Sequence, residues 1–382
     1  MDGIRSVKLM LPTQVLEDAW IRFENGIIVD LGQGSPPGGE FFDGEKRYLA
    51  PGFIDLHVHG GTGADFLDNT EVAFERICNF HLSGGTTALC PTLATTTYSH
   101  IAAVTQTYQA VRTKLSINLL PLHLEGPHLA PAKAGAQDPR LLRPATSQNI
   151  DWLVENSASI SQMTIAPELH NSIELIARAT AAGICMSLGH TEASEEQAAQ
   201  ALQHGARKVT HLFNAMSSAS KKGLFRQAGL AEYALTEDGL ACELIGDGFH
   251  VSPTLIKMAF RCKGPQRVAL VSDALAGAGL PMGSKFSLGA LPCRVEQGYC
   301  ALADGSALSG SATRLIDQLR TMVRKVGLPI ADAVQMASGS PAALLGIQHL
   351  RGSLAPGLAA DFVRFDDDFR VHNVWLAGKS IH

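Results

Sequence analysis

Pro51-Gly52-Phe53-Ile54-Asp55-Leu56-His57-Val58-His59-Gly60 is the stretch on which the reading of the fold turns. A short apolar run closes on two histidines two positions apart. Residues i and i+2 of a strand share a face, so both imidazoles can grip one ion. An isolated pair of this kind is as often a packed core feature as a ligand pair. What decides between the two is whether other strand ends carry matching chemistry.

They do. Apolar runs recur at 52–58, 86–91, 117–124, 163–167, 183–188, 208–212, 240–245 and 268–272, each followed by a stretch rich in Ala, Glu and Gln with helical character. Strands alternating with helices imply a parallel sheet, and eight such units in this length of chain are the size of a closed barrel. An open doubly wound sheet is the alternative, but no GxGxxG stands between a strand and a helix to support it. Both ends of the chain read differently. The runs 19–24 and 27–31 are joined by Asn25-Gly26, a dipeptide suited to a tight hairpin, and 361–365 and 371–376 also read as strands.

Bulk properties narrow the function. The 382 residues are 46% hydrophobic and 18% charged, enough apolar content for a large core and too little charge for disorder. A net charge of -5 lacks the basic footprint of a nucleic-acid binder. No uninterrupted apolar window is long enough to span a membrane, and no apolar stretch near the N-terminus reads as a signal peptide. The seven cysteines are scattered, with no CxxC pair, which suits reduced thiols and a cytoplasmic location.

Seven of the eight run ends carry metal-ligand or acid–base residue types: His57 and His59, then Glu125 with His128, Glu168, His190, His211 with Asn214, Asp247 with His250, and Asp273. In a closed barrel all C-terminal strand ends meet at one mouth, where such folds place their chemistry. Glu125, His190 and His211 together supply one oxygen and two nitrogens, a set that fits an open catalytic zinc site. Asp273 follows an apolar run and needs a partner if buried. A water at the metal would be that partner, and the carboxylate could take its proton. The plainer alternatives are a buried glutamate tied to backbone at 125 and a helix N-cap at 273. The fourth run, Met163-Thr164-Ile165-Ala166-Pro167-Glu168, has no lysine that could be carboxylated to bridge two metals.

Taken together, these segments resemble the N-acetylglucosamine-6-phosphate deacetylases of the amidohydrolase superfamily. The matching stretches are PGFIDLHVHG (51–60), LHLEGPHL (122–129), SLGHT (187–191), THLFNAM (210–216), RQAGLA (226–231), ELIGDGFHVSP (243–253), LVSDALAGAG (270–279), LSGSATRLI (308–316) and GSLAPGLAADF (352–362). The resemblance spans essentially the whole chain. It implies an α/β fold: a (β/α)8 TIM-like metal-dependent hydrolase barrel over 51–347, with a small β-sandwich domain formed by both chain termini, 1–50 and 348–382. It implies hydrolysis of the acetamide of an amino-sugar 6-phosphate. Glu125, His190 and His211 would hold the principal metal, His57 and His59 a second, and Asp273 would sit at the metals as general base and then general acid. Two divalent ions per subunit are expected, zinc first, with iron or manganese as alternatives.

Substrate binding carries over residue by residue. Asn214, Ala215 and Leu308 match segments bordering the sugar phosphate, and Arg226 and His250 match phosphate-binding residues that reach the neighbouring site of a homodimer. Lys221 and Lys222 sit in a short insertion before Arg226 and either share that task or form a solvated loop. One departure stands out. Where the family often has a histidine that polarises the acyl carbonyl, this chain has Gln137, which can donate a hydrogen bond but carries no charge; His128 is a nearby substitute. The galactosamine epimer, a cyclic amide of the dihydroorotase type, and a partner-binding barrel that has lost catalysis are the competing readings.

Overall fold

The computed structural model describes residues 3–381; residues 1, 2 and 382 of the terminal segments lie outside it. Eight parallel strands form the central barrel: Phe53–Val58, Thr86–Leu93, Leu122–Glu125 (preceded by Asn118–Leu119), Ile160–Ile165, Cys185–Leu188, Ala206–Val209, Ala241–Ile245 and Val268–Val271. Each pairs with its neighbours in chain order. The eighth returns to the first, where Ala274 bridges Val58 in parallel and Asp273 N–H donates to the His57 carbonyl at 2.8 Å. A doubly wound sheet would reverse its strand order at a switch point; this one does not, so that alternative falls.

All eight apolar runs became strands, with shifted ends. The third is broken because Pro121 has no N–H to continue the ladder. The sixth stops at Val209, short of the expected 212, because the backbone turns left-handed at His211 (φ 31°). The helices between strands start where Thr and Ser side chains cap them: Thr70, Thr97, Thr146, Ser194 and Ser252 each accept a hydrogen bond from an amide of the first turn. The first, Glu71–Leu82, buries Ala73, Phe74, Ile77, Cys78 and Leu82, one face at helical spacing. That face packs into a core shared with Met163, Ile165, Met186, Leu188, Val209 and Leu244 of the strands.

Strands from both chain ends join one further sheet, knitted where Phe362–Phe365 pairs antiparallel with Tyr48–Pro51. It has its own core of Ile4, Val7, Leu9, Ile21, Phe23, Phe362 and Trp375. Asn25 and Gly26 both take positive φ (50° and 82°) in the hairpin between Gln14–Glu24 and Ile27–Gln33, as a primed turn requires. Two features were not anticipated. A four-stranded antiparallel sheet, Lys285–Leu288, Leu291–Val295, Tyr299–Leu302 and Leu308–Ser311, is inserted after the eighth barrel strand. A two-stranded hairpin, Ser220–Lys222 with Phe225–Gln227, stands out after the sixth. No described helix is long and apolar enough to cross a membrane.

Candidate active site

His57, His59, Glu125, His190, His211 and Asp273 converge at the C-terminal mouth of the barrel. His57 is the penultimate residue of the first strand, and the others sit at or just past the ends of the first, third, fifth, sixth and eighth strands. His190, His211 and Asp273 all have left-handed backbones (φ 48°, 31° and 47°). A side chain other than glycine held in a sparsely populated region costs about 1–3 kcal/mol. Here that conformation recurs at three strand ends around one cluster, and neighbouring segments hold it: Leu212 N–H donates to the Glu243 carbonyl of the seventh strand at 2.8 Å, and Ala130 N–H, in the loop after the third strand, to the His190 carbonyl at 2.9 Å.

Glu125 is the hub. Its Oε1 lies 3.1 Å from His190 Nε2, 3.0 Å from His211 Nε2 and 3.5 Å from His57 Nε2, and its Oε2 lies 3.3 Å from His59 Nε2. Asp273 Oδ1 closes the group at 3.4 Å from His59 Nε2 and 3.5 Å from His57 Nε2. Two donor triads result, His57–His59–Glu125 and Glu125–His190–His211, each with ligand atoms within 4.8 Å of one another. They share Glu125, whose carboxylate has two oxygens to divide between two positions. Within each triad two imidazole Nε2 atoms face each other at 3.1 Å. Two ring nitrogens that close need a proton or a cation between them, so the donors suit a metal ion.

The charges agree. Burial works against an ionised Glu125, but charged His57 and the hydrogen bonds of His190, His211 and His57 hold its carboxyl well below the usual range. Burial likewise raises Asp273, yet His57 and His59 outweigh it and keep it low. In return the carboxylates override the burial of the two imidazoles. His57 is raised well above its ordinary value and His59 is pushed up to about 9. Without a metal the cluster balances its carboxylates with protons; a divalent cation can replace them and release them.

Behind the cluster lies a network the sequence reading passed over. Glu243 Oε2 is 3.2 Å from His57 Nδ1, and Glu243 Oε1 pairs with Lys208 Nζ; both side chains are fully buried inside the barrel. Lys208 also donates to Gln162, whose amide reaches the Leu56 carbonyl. Burial opposes the charge on Glu243, but the Lys208 ammonium holds it far below the usual carboxylate range. A charge in the middle of Ala241-Cys242-Glu243-Leu244-Ile245 was the available signal.

A cavity of about 380 Å³ opens over the cluster. Its wall includes Gln137, Asn214, Ala215, His250 and Leu308, as expected, and also Lys133. His250 differs from the expectation in one respect. Asp247 Oδ2 holds its Nδ1 at 2.6 Å while Asp247 Oδ1 takes the His250 N–H at 3.0 Å, so the ring lines its own chain's cavity. Burial opposes its protonation, but Asp247 outweighs this and the imidazole is raised above its ordinary value. Arg226 lines no part of this cavity; it lies on the exposed hairpin opposite Lys221. His128 is not a substitute for the missing histidine. It is buried between the Tyr98 hydroxyl and the Arg143 carbonyl, each at 2.9 Å, and burial pushes it down to about 4, so it stays neutral. Glu168 is likewise structural, accepting from Thr191 and from Glu192 N–H.

Comparison with known proteins places this architecture. The Amidohydrolase family matches residues 48–381. The chain is 32% identical to the N-acetylglucosamine-6-phosphate deacetylase of Vibrio furnissii, over 99% of this chain and 94% of that one. It is 29% identical to the N-acetylgalactosamine-6-phosphate deacetylase of Escherichia coli O157:H7, over 98% of each. Its structure is similar to that of the Pasteurella multocida N-acetylglucosamine-6-phosphate deacetylase, with a TM-score of 0.93 at 27% identity, covering 99% of both chains.

Gln137 turns both ends of its amide toward protein. Its Oε1 accepts from Thr95 N–H at 2.7 Å, and its Nε2 donates to Glu125 Oε2 at 2.6 Å. In this arrangement one amide N–H orients the hub carboxylate. Partners that orient a ligand are typically worth about 10–100-fold in metal affinity. Gln137→Ala should therefore lower cation affinity by that order in a chelator competition; unchanged affinity would show the amide to be idle.

Proposed function

Because the chain belongs to the amidohydrolase family, we propose that it hydrolyses the acetamide of N-acetylglucosamine 6-phosphate to glucosamine 6-phosphate and acetate. The observation that carries this reading is the single cavity that has Asp273, His59, Glu125, His190 and His211 at its floor and His250, Lys133 and Asn214 on its wall. At about 380 Å³ it is near the lower end of small-molecule sites, about 300–1,000 Å³, a size for one phosphorylated sugar and not for a polymer. The galacto epimer is the second reading, favoured by the Escherichia coli relative.

Glu125, His190 and His211 would hold the principal divalent ion, and His57 and His59, sharing Glu125, a second. Imidazole and carboxylate donors suit zinc first, and iron or manganese as well. A bound divalent cation polarises the acyl oxygen and acidifies water. The chain's own residues do the rest. Asp273, kept ionised beside His57 and His59, takes a proton from water as the water oxygen bonds to the acyl carbon. It returns that proton to the sugar nitrogen as the C–N bond breaks, leaving acetate and the amine. His250, whose imidazolium Asp247 favours, meets the phosphate together with Asn214 and the Ala215 backbone, and Leu308 covers the sugar.

Arg226 completes the phosphate site of a neighbouring subunit in a homodimer. Support for this is the hairpin that carries it, where Leu224 and Phe225 are 87% and 74% exposed, apolar surface of the kind a partner covers. The seven unpaired cysteines fit a reducing cytoplasm.

Turnover should be higher on N-acetylglucosamine 6-phosphate than on its galacto epimer and should fall sharply without the phosphate. Failure on both sugar phosphates would refute the reading. Asp273→Asn should lower kcat by about 10²–10⁴-fold, the usual worth of a general acid–base, with the metal largely retained. Replacing both His57 and His59 by Ala should remove one metal equivalent and leave another, as read by elemental analysis of protein purified without chelator. A His250 value raised above the ordinary 6.5 means that the imidazolium is present below that value and lost as pH rises through it. KM for the phosphorylated sugar should therefore climb as pH rises through that raised value, and His250→Asn should abolish that climb.

A further inference from the structure

The four histidines of the cluster are not held alike. His57 Nδ1 faces the Glu243 carboxylate at 3.2 Å, and His190 Nδ1 faces the Lys133 carbonyl at 2.8 Å. The Nδ1 atoms of His59 and His211 have no partner. A carboxylate or carbonyl only accepts hydrogen bonds, so in the neutral form that a metal requires, His57 and His190 carry their proton on Nδ1 and turn the Nε2 lone pair into the cluster. Each triad thus contains one histidine whose tautomer the protein fixes and one that it does not. The means differ. His190 is fixed by a backbone carbonyl, whereas His57 is fixed by a buried ion pair.

A buried ion pair is weak ground for stability, since well-packed apolar residues of similar volume often serve as well. Lys208 and Glu243 are both 0% exposed. Their side-chain hydrogen bonds nevertheless all lead to one place. Lys208 holds Glu243, which holds the His57 ring; Lys208 also holds Gln162, which holds the carbonyl of Leu56, the residue before His57. Ring and backbone of this one residue are tied to the same ammonium. No side-chain hydrogen bond of the pair reaches His190 or His211; the Glu243 carbonyl accepts from Leu212 N–H, a backbone contact that replacing the side chain leaves in place.

We propose that Glu243, set in place by Lys208, is the positioning residue that commits His57 to a metal in the His57–His59–Glu125 triad, so that this ion pair governs occupancy of the second position and not of the first. The proposal rests on the two-metal reading above and goes beyond it by naming what decides whether the second ion stays. Neither residue touches substrate or the reacting atoms; both act through His57.

The test titrates chelator-stripped protein with Zn²⁺, with metal per chain from elemental analysis and each affinity from chelator competition. Removing one partner alone leaves the other charge buried, so the pair is replaced together. K208M/E243L removes both charges and the acceptor. K208M/E243Q removes the charges but leaves an amide oxygen that can accept from His57. Wild type should bind two equivalents. K208M/E243L should bind the first as wild type does and the second about 10–100-fold more weakly, with K208M/E243Q in between. Should K208M/E243L fail to fold, the weakening of the second equivalent alone in K208M/E243Q carries the test. A second equivalent bound as in wild type, or both equivalents weakened alike, would overturn the proposal, because a merely structural pair gives no selective loss. If wild type itself binds only one equivalent, the two-metal reading fails, an outcome distinct from failure of the ion pair's role.

Discussion

The structure depends on keeping one carboxylate ionised where almost no water reaches it. Glu125 is 2% exposed, and a buried carboxylate without partners would be too costly to keep charged. Its oxygens are met by His57 and His59 of the first strand, His190 after the fifth, His211 after the sixth, and Gln137 from the loop after the third. Those segments are neighbours only when the barrel has closed. The closing seam lies at the same spot. Asp55 Oδ1 accepts from Ser272 N–H at 3.1 Å and from His57 N–H at 3.3 Å, tying the first strand to the eighth directly beneath the cluster. Closure and site assembly are therefore one event, and a defect in either is felt in the other.

The barrel interior serves this end in an unusual way. Branched aliphatic side chains dominate most such interiors. Here a hydrogen-bonded row crosses the strands: Thr92 to His123, His123 to Thr164, Thr164 to Thr210 and Thr210 to Ser187, at 2.6–3.3 Å. The His123 ring also packs edge-on against His57, with centroids 4.6 Å apart. A fully satisfied polar network in a low-dielectric interior admits few alternative packings. It gives the metal-binding face a rigid backing that apolar side chains, free to slide past one another, would not.

How much of this could be read beforehand follows from where each residue's partners lie. The barrel strands were legible because buried parallel strands are apolar runs, and the donors at 57, 59, 125, 190, 211 and 273 were legible because they interrupt or end such runs. The inserted sheet was not. Its strands are short and partly exposed, as in Lys285-Phe286-Ser287-Leu288, and its alternation is no stronger than that of a loop. Lys208 and Glu243 were missed for the opposite reason: Glu243 is flanked by apolar residues and Lys208 opens the run into Val209, so both read as part of a strand, and their partners lie 35 to 186 positions away. His128 and Gln137 sit in loops whose direction only the fold decides. The first turns to Tyr98, 30 positions earlier, and the second to Glu125.

The same division separates chemistry from recognition. Every group that would hold a metal or move a proton stands at or within two residues of a strand end, where ladder hydrogen bonds from both sides fix the backbone. The groups that would read the sugar and its phosphate do not. Asn214 and Ala215 lie in the loop after the sixth strand, His250 in the loop after the seventh, Leu308 in the inserted sheet and Arg226 on the exposed hairpin. Loops tolerate change that a strand end inside a buried network does not. Substitutions in the wall can thus alter which sugar is accepted while the floor stays as it is. The reverse does not hold, because a change at Glu125 or His57 would leave buried charges without partners. Discrimination between epimers, which differ only in the orientation of one hydroxyl, must accordingly reside in the loops and the inserted sheet, outside the cluster that breaks the amide.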